Sequence, residues 1–142
     1  MKLAAMALPP RFLTIHCTAT PEGRDNSADE VRSWDIARFG QPSYHQVVEL
    51  DGAAVRHLRD DQRGAHVGGH NTGNIGIAYV GGTETLSAGG RPKDTRTAAQ
   101  RATLRSLVAG YRAKYPGIIV RGHRDWPGVK KACPSFDVAT QL

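Results

Sequence analysis

Six histidines and two cysteines are the side chains of this 142-residue chain with the widest chemical repertoire. A lone histidine is more often a satisfied or exposed residue than a ligand, but position singles out two of the six. His16 closes the apolar run Phe12–His16, FLTIH, where a polar ring is wasted unless it faces a cleft. His123 follows the apolar segment Ile118–Val120, within Gly122-His123-Arg124-Asp125. Strand ends that feed loops are where a rigid scaffold presents functional side chains. Ten residues beyond His123 comes Cys133, in Lys131-Ala132-Cys133-Pro134. Two imidazoles and one thiolate make a three-ligand zinc site with a fourth position open to water, the pattern of a catalytic centre. Spacing alone leaves an alternative open. A His and a Cys so placed do not have zinc-finger spacing, and a free cysteine is commonly a small buried hydrophobe.

These residues need elements to position them. Phe12–His16 reads as a buried strand. Ser27-Ala28-Asp29-Glu30 has the form of a capping box and predicts a helix to about Phe39, with Val31 and Trp34 on its inner face and Gly40 as the stop. Tyr44–Leu50 and Ala53–Leu58 read as strands joined at the turn signal Asp51-Gly52. Residues 59–74, rich in Gly, His and Asn, form a long loop of the kind that is usually functional. Ile75–Val80 is a strand ended by Gly81-Gly82, and residues 83–96 are a second, more mobile loop. Thr97-Ala98-Ala99-Gln100 is another capping box, and the helix behind it sets Leu104, Leu107, Val108, Tyr111 and Tyr115 on one face. Pro116-Gly117 ends that helix, Ile118–Val120 is the last strand, and a short helix begins near Phe136. The expected fold class is α/β: one domain over 1–142, a central mixed sheet flanked by helices.

Composition narrows the partners. Hydrophobic residues at 39% and charged ones at 23% are ordinary for a globular domain and exclude a disordered chain. No apolar run approaches the ~20 residues of a membrane span. The stretch Leu3–Leu8 is short for a secretory core and closed by Pro9-Pro10, so it reads as a leader strand or loose terminus rather than an export signal. A net charge of +6 suits an anionic partner, whether nucleic acid, a lipid surface or a cell-wall polymer. The basic residues are scattered, however, and no nucleic-acid module signature is visible, so nucleic acid is not the expected partner.

Four ordered segments carry a family resemblance: Ile15-His16-Cys17-Thr18-Ala19-Thr20, Tyr44-His45, Asn74-Ile75-Gly76-Ile77, and Gly122-His123-Arg124-Asp125 with Lys131-Ala132-Cys133-Pro134. Over about residues 12–137 the chain resembles the zinc-dependent N-acetylmuramoyl-L-alanine amidases of type 2. These share a fold with the peptidoglycan recognition proteins and include the amidase-type bacteriophage lysozymes. The ending Ala132-Cys133-Pro134-Ser135-Phe136-Asp137 is similar to that of the phage enzymes.

The resemblance implies one zinc per chain held by His16, His123 and Cys133. It places Tyr44 and Lys131 at catalytic positions and His66 and Asn71 at groove-lining positions. Cys17 and His45 each follow a site residue and are expected to point to the opposite face. His57 and His70 receive no role. The implied reaction is hydrolysis of the amide between N-acetylmuramic acid and L-Ala of the stem peptide, by a phage endolysin. Zinc would activate water, Lys131 would stabilise charge on the carbonyl oxygen, and Tyr44 would orient the water. The implied protein is a monomer made in the cytoplasm and acting on the wall, with a regulatory protein partner as in some phage relatives. The alternatives are a non-catalytic peptidoglycan-binding module and a basic regulatory protein. The chain departs from the family after Trp34, where Asp35 stands in place of the usual His, and after Gly40, where Gln41-Pro42 stands. Arg63 and Arg124 are the neighbouring cations for stem-peptide carboxylates, against the plainer reading of solvated surface charge.

Overall fold

The computed structural model describes residues 9–142; the Leu3–Leu8 stretch lies outside the described residues. The elements run β1 (Phe12–Cys17), β2 (Thr20–Pro21), α1 (Ala28–Phe39), β3 (Gln46–Val48), β4 (Ala54–Arg56), β5 (Asn74–Tyr79), β6 (Gly82–Thr83), α2 (Ala98–Lys114), β7 (Ile119–Gly122) and α3 (Val138–Gln141). Single 3-10 turns occur at Leu86–Ala88 and His123–Asp125. The main sheet has the order β4-β3-β5-β1-β7. β1 pairs in parallel with both β5 and β7, β3 is parallel to β5, and only the edge strand β4 is antiparallel. The sheet is mixed, as expected, and β1 lies inside it with a neighbour on each side.

Alternation along the strands sorts side chains to two faces. Leu13, Ile15, Cys17, Ile75, Ile77, Tyr79 and Val48 share one core with Leu104, Val108 and Tyr111 of α2 and with Phe136 and Val138. Each such side chain contributes roughly 1.5–3 kcal/mol on full burial. The buried Gln100 joins helix to sheet by donating its side-chain N–H groups to the carbonyls of Val48 and Val80. Val47 and Val80 turn to the other face and pack with Ala28 and Val31 of α1. That second face also carries Thr14 and His16 of β1, and the site is built there.

The capping boxes at Ser27/Glu30 and Thr97/Gln100 both form, each worth about 1 kcal/mol. Gly40 ends α1 in the left-handed conformation, φ 76°. Trp34 departs from expectation: it is 45% exposed instead of facing the core. Only Ala28 and Val31 of α1 are buried. Trp34 and Phe39, both exposed, flank a cleft rather than filling the interior. The strands shift by one or two residues from their expected limits, and the two-residue parallel pair of β2 with β6 carries no pattern that a sequence would show. The 83–96 segment is tied down at several points. The Thr95 hydroxyl accepts from Gly82 N–H, Lys93 pairs with Glu22, and the Arg96 guanidinium lies 3.4 Å over the Phe136 ring.

Candidate active site

The three anticipated ligands come from two chain segments that meet at the C-terminal ends of β1 and β7. His16 is the penultimate residue of β1 and is 1% exposed. His123 opens the 3-10 turn directly after β7. Cys133 is brought back by main-chain contacts: Arg124 N–H donates to Cys133 O at 2.8 Å, and the Tyr79 hydroxyl donates to Pro134 O at 2.7 Å. The ligand atoms of His16, His123 and Cys133 all lie within 4.8 Å of one another. His16 Nδ1 and Cys133 Sγ are 3.9 Å apart. A tetrahedral zinc with N and S bonds of about 2.0–2.3 Å sets such donors about 3.6 Å apart, so the donor types fit this ion, with the His16–Cys133 pair closing by about 0.3 Å and the widest pair by up to about 1.2 Å.

The electrostatics agree with that chemistry. Burial lowers the pKa of His16, and the neighbouring His66, His123 and Lys131 lower it further, so the imidazole is held neutral. Burial and then Lys131 lower His123 in the same sense. Contact with the Cys17 thiol, followed by burial, pushes the Cys133 thiol up. Its ionisation therefore has to be driven by a cation, and the Cys17 main-chain N–H, 3.2 Å from Sγ, is in place to donate to the thiolate. Cys17 itself packs into the main core as anticipated.

The cleft above the ligands has a volume of about 320 Å³ and is lined by His16, Tyr44, His66, His123, Lys131 and Cys133, together with Trp34, Asp35, Arg38 and Phe39 of α1. Tyr44 stands with its ring centroid 5.1 Å from that of His16. Burial, reinforced by negative charge at Cys133 and Asp35, pushes its phenol well above the usual range, so it stays a neutral O–H. Lys131 lines the cleft and adjacent Lys130 does not. An adjoining hollow shares His66, His123 and Lys131 and adds Asn71 and Gly68.

His66 and Asn71 reach the cleft wall, but both also hold it together. His66 Nδ1 is 2.9 Å from His16 Nε2, and its Nε2 is 2.9 Å from Asn74 O. Burial pushes its pKa down to about 3. The Asn71 side-chain oxygen accepts from the main-chain N–H groups of His66 and Val67 and so fixes the loop that presents the ring. His45 is buried and structural as expected: its Nδ1 accepts from Gly76 N–H and its Nε2 donates to Gln62 O. It is not turned away from the site, however, since its ring lies 6.0 Å from that of His66. β3 begins only at Gln46, so strand alternation does not govern residues 44 and 45.

Sequence reasoning missed the contribution of α1. The cations proposed by neighbourhood, Arg63 and Arg124, are exposed and line neither hollow, whereas Arg38 lines both. Asp35, noted only as a departure from the family, is in the cleft wall. Burial pushes its carboxyl up to about 6 against the pull of Ser43, and its Oδ2 is buried with no hydrogen-bond partner. The usable signal was the i, i+4 spacing of Trp34 and Arg38, which places the two on one helix face next to a glycine stop. His57 is half-buried and lies apart from the cleft, and His70 stacks on Trp126 with ring centroids 4.7 Å apart.

Comparison with known proteins agrees with this geometry. The family model described as N-acetylmuramoyl-L-alanine amidase matches residues 6–136. The endolysin of Escherichia phage T7 is 35% identical over 126 residues, covering 87% of this chain and 80% of that protein. The endolysin of Klebsiella phage KP32 is 34% identical over 125 residues, with the same two coverages, 87% and 80%. Among solved structures, the endolysin of the Thermus scotoductus bacteriophage Ph2119 superposes with a TM-score of 0.76 at 23% identity, covering 93% of this chain and 81% of that one. The Drosophila peptidoglycan recognition protein SD superposes at 0.74 with 19% identity, over 94% and 79% of the two chains. These two likenesses establish the fold. With the family model spanning most of the chain, the protein belongs to the N-acetylmuramoyl-L-alanine amidase family.

Proposed function

We propose that this chain is a zinc-dependent endolysin that hydrolyses the amide between N-acetylmuramic acid and the L-Ala that begins the stem peptide. The observation that carries the reading is the convergence of His16, His123 and Cys133 at the floor of a cleft that also presents Tyr44 and Lys131. Cys133 favours the enzyme over a wall-binding module, because recognition without cleavage has no use for an anionic metal ligand. Bound at these donors, one zinc per chain supplies a Lewis acid and lowers the pKa of water from about 15.7 towards ~7.

The chain's own residues do the rest. The Lys131 ammonium faces the position where the scissile carbonyl oxygen gains charge, and a preorganised donor of this kind contributes about 3–4 kcal/mol. Tyr44, kept neutral, orients the attacking water and donates to the developing oxyanion. Its raised pKa rules it out as a base at neutral pH. His66 and Asn71 shape the groove that receives the muropeptide, and Arg38 with Lys131 gives it a cationic lining for stem-peptide carboxylates. The same reading has the protein made in the cytoplasm and acting as a monomer on the wall. A regulatory protein partner belongs to this reading as an added role. No helix among the described residues is long and apolar enough to cross a membrane. The test is elemental analysis of gently purified protein. The reading expects one zinc per chain, activity lost on chelation and activity restored by zinc. An active metal-free protein overturns it.

A further inference from the structure

Two imidazoles far apart in the chain meet beside the ligand cluster, with His16 Nε2 and His66 Nδ1 separated by 2.9 Å. One of these nitrogens carries the proton between them, and the far side of His66 decides which. His66 Nε2 lies 2.9 Å from the Asn74 carbonyl oxygen. A carbonyl only accepts, so His66 Nε2 bears the hydrogen. A neutral imidazole has one N–H, so His66 Nδ1 is a lone pair and His16 Nε2–H donates to it. That leaves the lone pair of His16 on Nδ1, the atom facing Cys133 Sγ at 3.9 Å.

We propose that His66 is a positioning residue whose Nδ1 fixes His16 in the Nε2–H tautomer and aims the His16 Nδ1 lone pair at the metal position, with the Asn74 carbonyl setting the direction of the relay. The inference rests on the zinc reading above and moves His66 from a groove-lining role to one exerted through His16. The surroundings are built to hold it. The His66 ring lies over Gly76, where an added Cβ would meet its Cγ and Nδ1 at 2.8 Å. Asn71 clamps the main chain at His66 and Val67. The Asn74 side chain accepts from the Thr14 hydroxyl and donates to His70 O, which locks the strand end whose carbonyl anchors the relay. His123 has no ring hydrogen bond among the described residues, so His16 is the ligand whose tautomer the fold imposes. An outer partner of this kind typically changes metal affinity 10- to 100-fold when removed.

The test uses two variants and two readouts. Leucine at 66 (His66→Leu) removes the acceptor. Asparagine (His66→Asn) keeps an amide near the Nδ1 position but loses the donation to Asn74 O, so it can turn either its oxygen or its N–H2 group to His16. Nitrogen-15 spectra of the histidine rings in zinc-free wild type at neutral pH should show His16 as the Nε2–H tautomer alone. His66→Leu should show a tautomer mixture at His16 and a zinc dissociation constant, measured against a competing chelator, raised roughly 10- to 100-fold. His66→Asn should also lose the single tautomer, because no donation to Asn74 O now sets the direction of the bond, yet bind zinc more tightly than His66→Leu, since its oxygen can still accept from His16 Nε2–H. If leucine unfolds the protein, the wild-type spectrum and the asparagine variant decide. A wild-type His16 protonated on Nδ1, or zinc affinity and tautomer unchanged in His66→Leu, overturns the inference. A wild type that takes up no zinc overturns the zinc reading instead, while the zinc-free spectrum still decides the role of His66.

Discussion

Replacing Gly76 with alanine should damage the fold and the site together. A Cβ at this position would lie 2.8 Å from two atoms of the His66 ring and 2.9 Å from a third. Favourable carbon contacts begin near 3.5 Å, so the ring has to retreat by about 0.7 Å. It cannot do so freely, because it is held at 2.9 Å by His16 on one side and by Asn74 O on the other. Overpacking costs ~1–3 kcal/mol, and a weakened hydrogen bond adds about 1 kcal/mol, so the expected loss is about 2–4 kcal/mol. With an unfolding entropy of about 2.1 cal/mol/K per residue, the chain has roughly 0.3 kcal/mol/K, and Tm should fall by about 7–13 °C. The assay is thermal unfolding of zinc-free protein, so that metal binding does not enter. Gly110 in α2 is the control, since a Cβ there meets nothing within 4 Å. Gly110→Ala should stabilise by about 0.4–1 kcal/mol through the lower entropy of its unfolded chain. A Gly76→Ala protein that melts with the wild type refutes the claim that this glycine exists to seat His66.

Two further substitutions separate chemistry from scaffold. Lys131→Ala should lower turnover by about 10²-fold with little change in melting, and Lys130→Ala should be nearly silent; equal effects in a steady-state assay would mean that bulk charge is what matters. Asp60 is not among the residues lining the cleft; it accepts from the hydroxyls of Tyr111 and Tyr115 and from Lys114 and Arg56. Burial opposes its ionisation, but these donors prevail and hold its pKa down to about 2. A lowered carboxylate pKa gives stability that is present above about 4 and lost as pH falls towards about 2. Asp60→Asn should therefore cost about 2 kcal/mol at neutral pH and flatten the acid limb of a urea-denaturation series; an unchanged limb would show that the acid sensitivity lies elsewhere.

The candidate ligand at the end of β1 was readable because a histidine closing an apolar strand is a local signal, and the family motifs supplied its partners at 123 and 133. Both capping boxes and the inner face of α2 were readable for the same reason: their causes lie within one helical turn. Trp34 was misplaced because helix-face reasoning assumes burial along the whole helix, whereas α1 buries only Ala28 and Val31. The relay through His66 was hidden because it depends on a contact between residues 16 and 66, on a carbonyl at 74, and on a missing side chain at 76. No periodicity reports that. The family resemblance set Asn71 at a groove position, where it does stand, but only the fold shows its oxygen also committed to two main-chain N–H groups.

Cys133→Ser tests the central claim most directly, with zinc content, binding and cleavage measured on one preparation. A serine hydroxyl is a far weaker zinc ligand than a thiolate, which forms readily beside a metal. Wild-type protein should hold one zinc per chain and release from purified peptidoglycan stem peptides that begin with L-Ala, with the lactyl groups left on intact glycan strands. The variant should fold, melt at a lower temperature for want of the bound metal, still bind insoluble peptidoglycan, and release no stem peptide in the mass spectrum. A variant that cleaves like the wild type, or wild-type products cut between sugars rather than at the lactyl amide, would contradict the account.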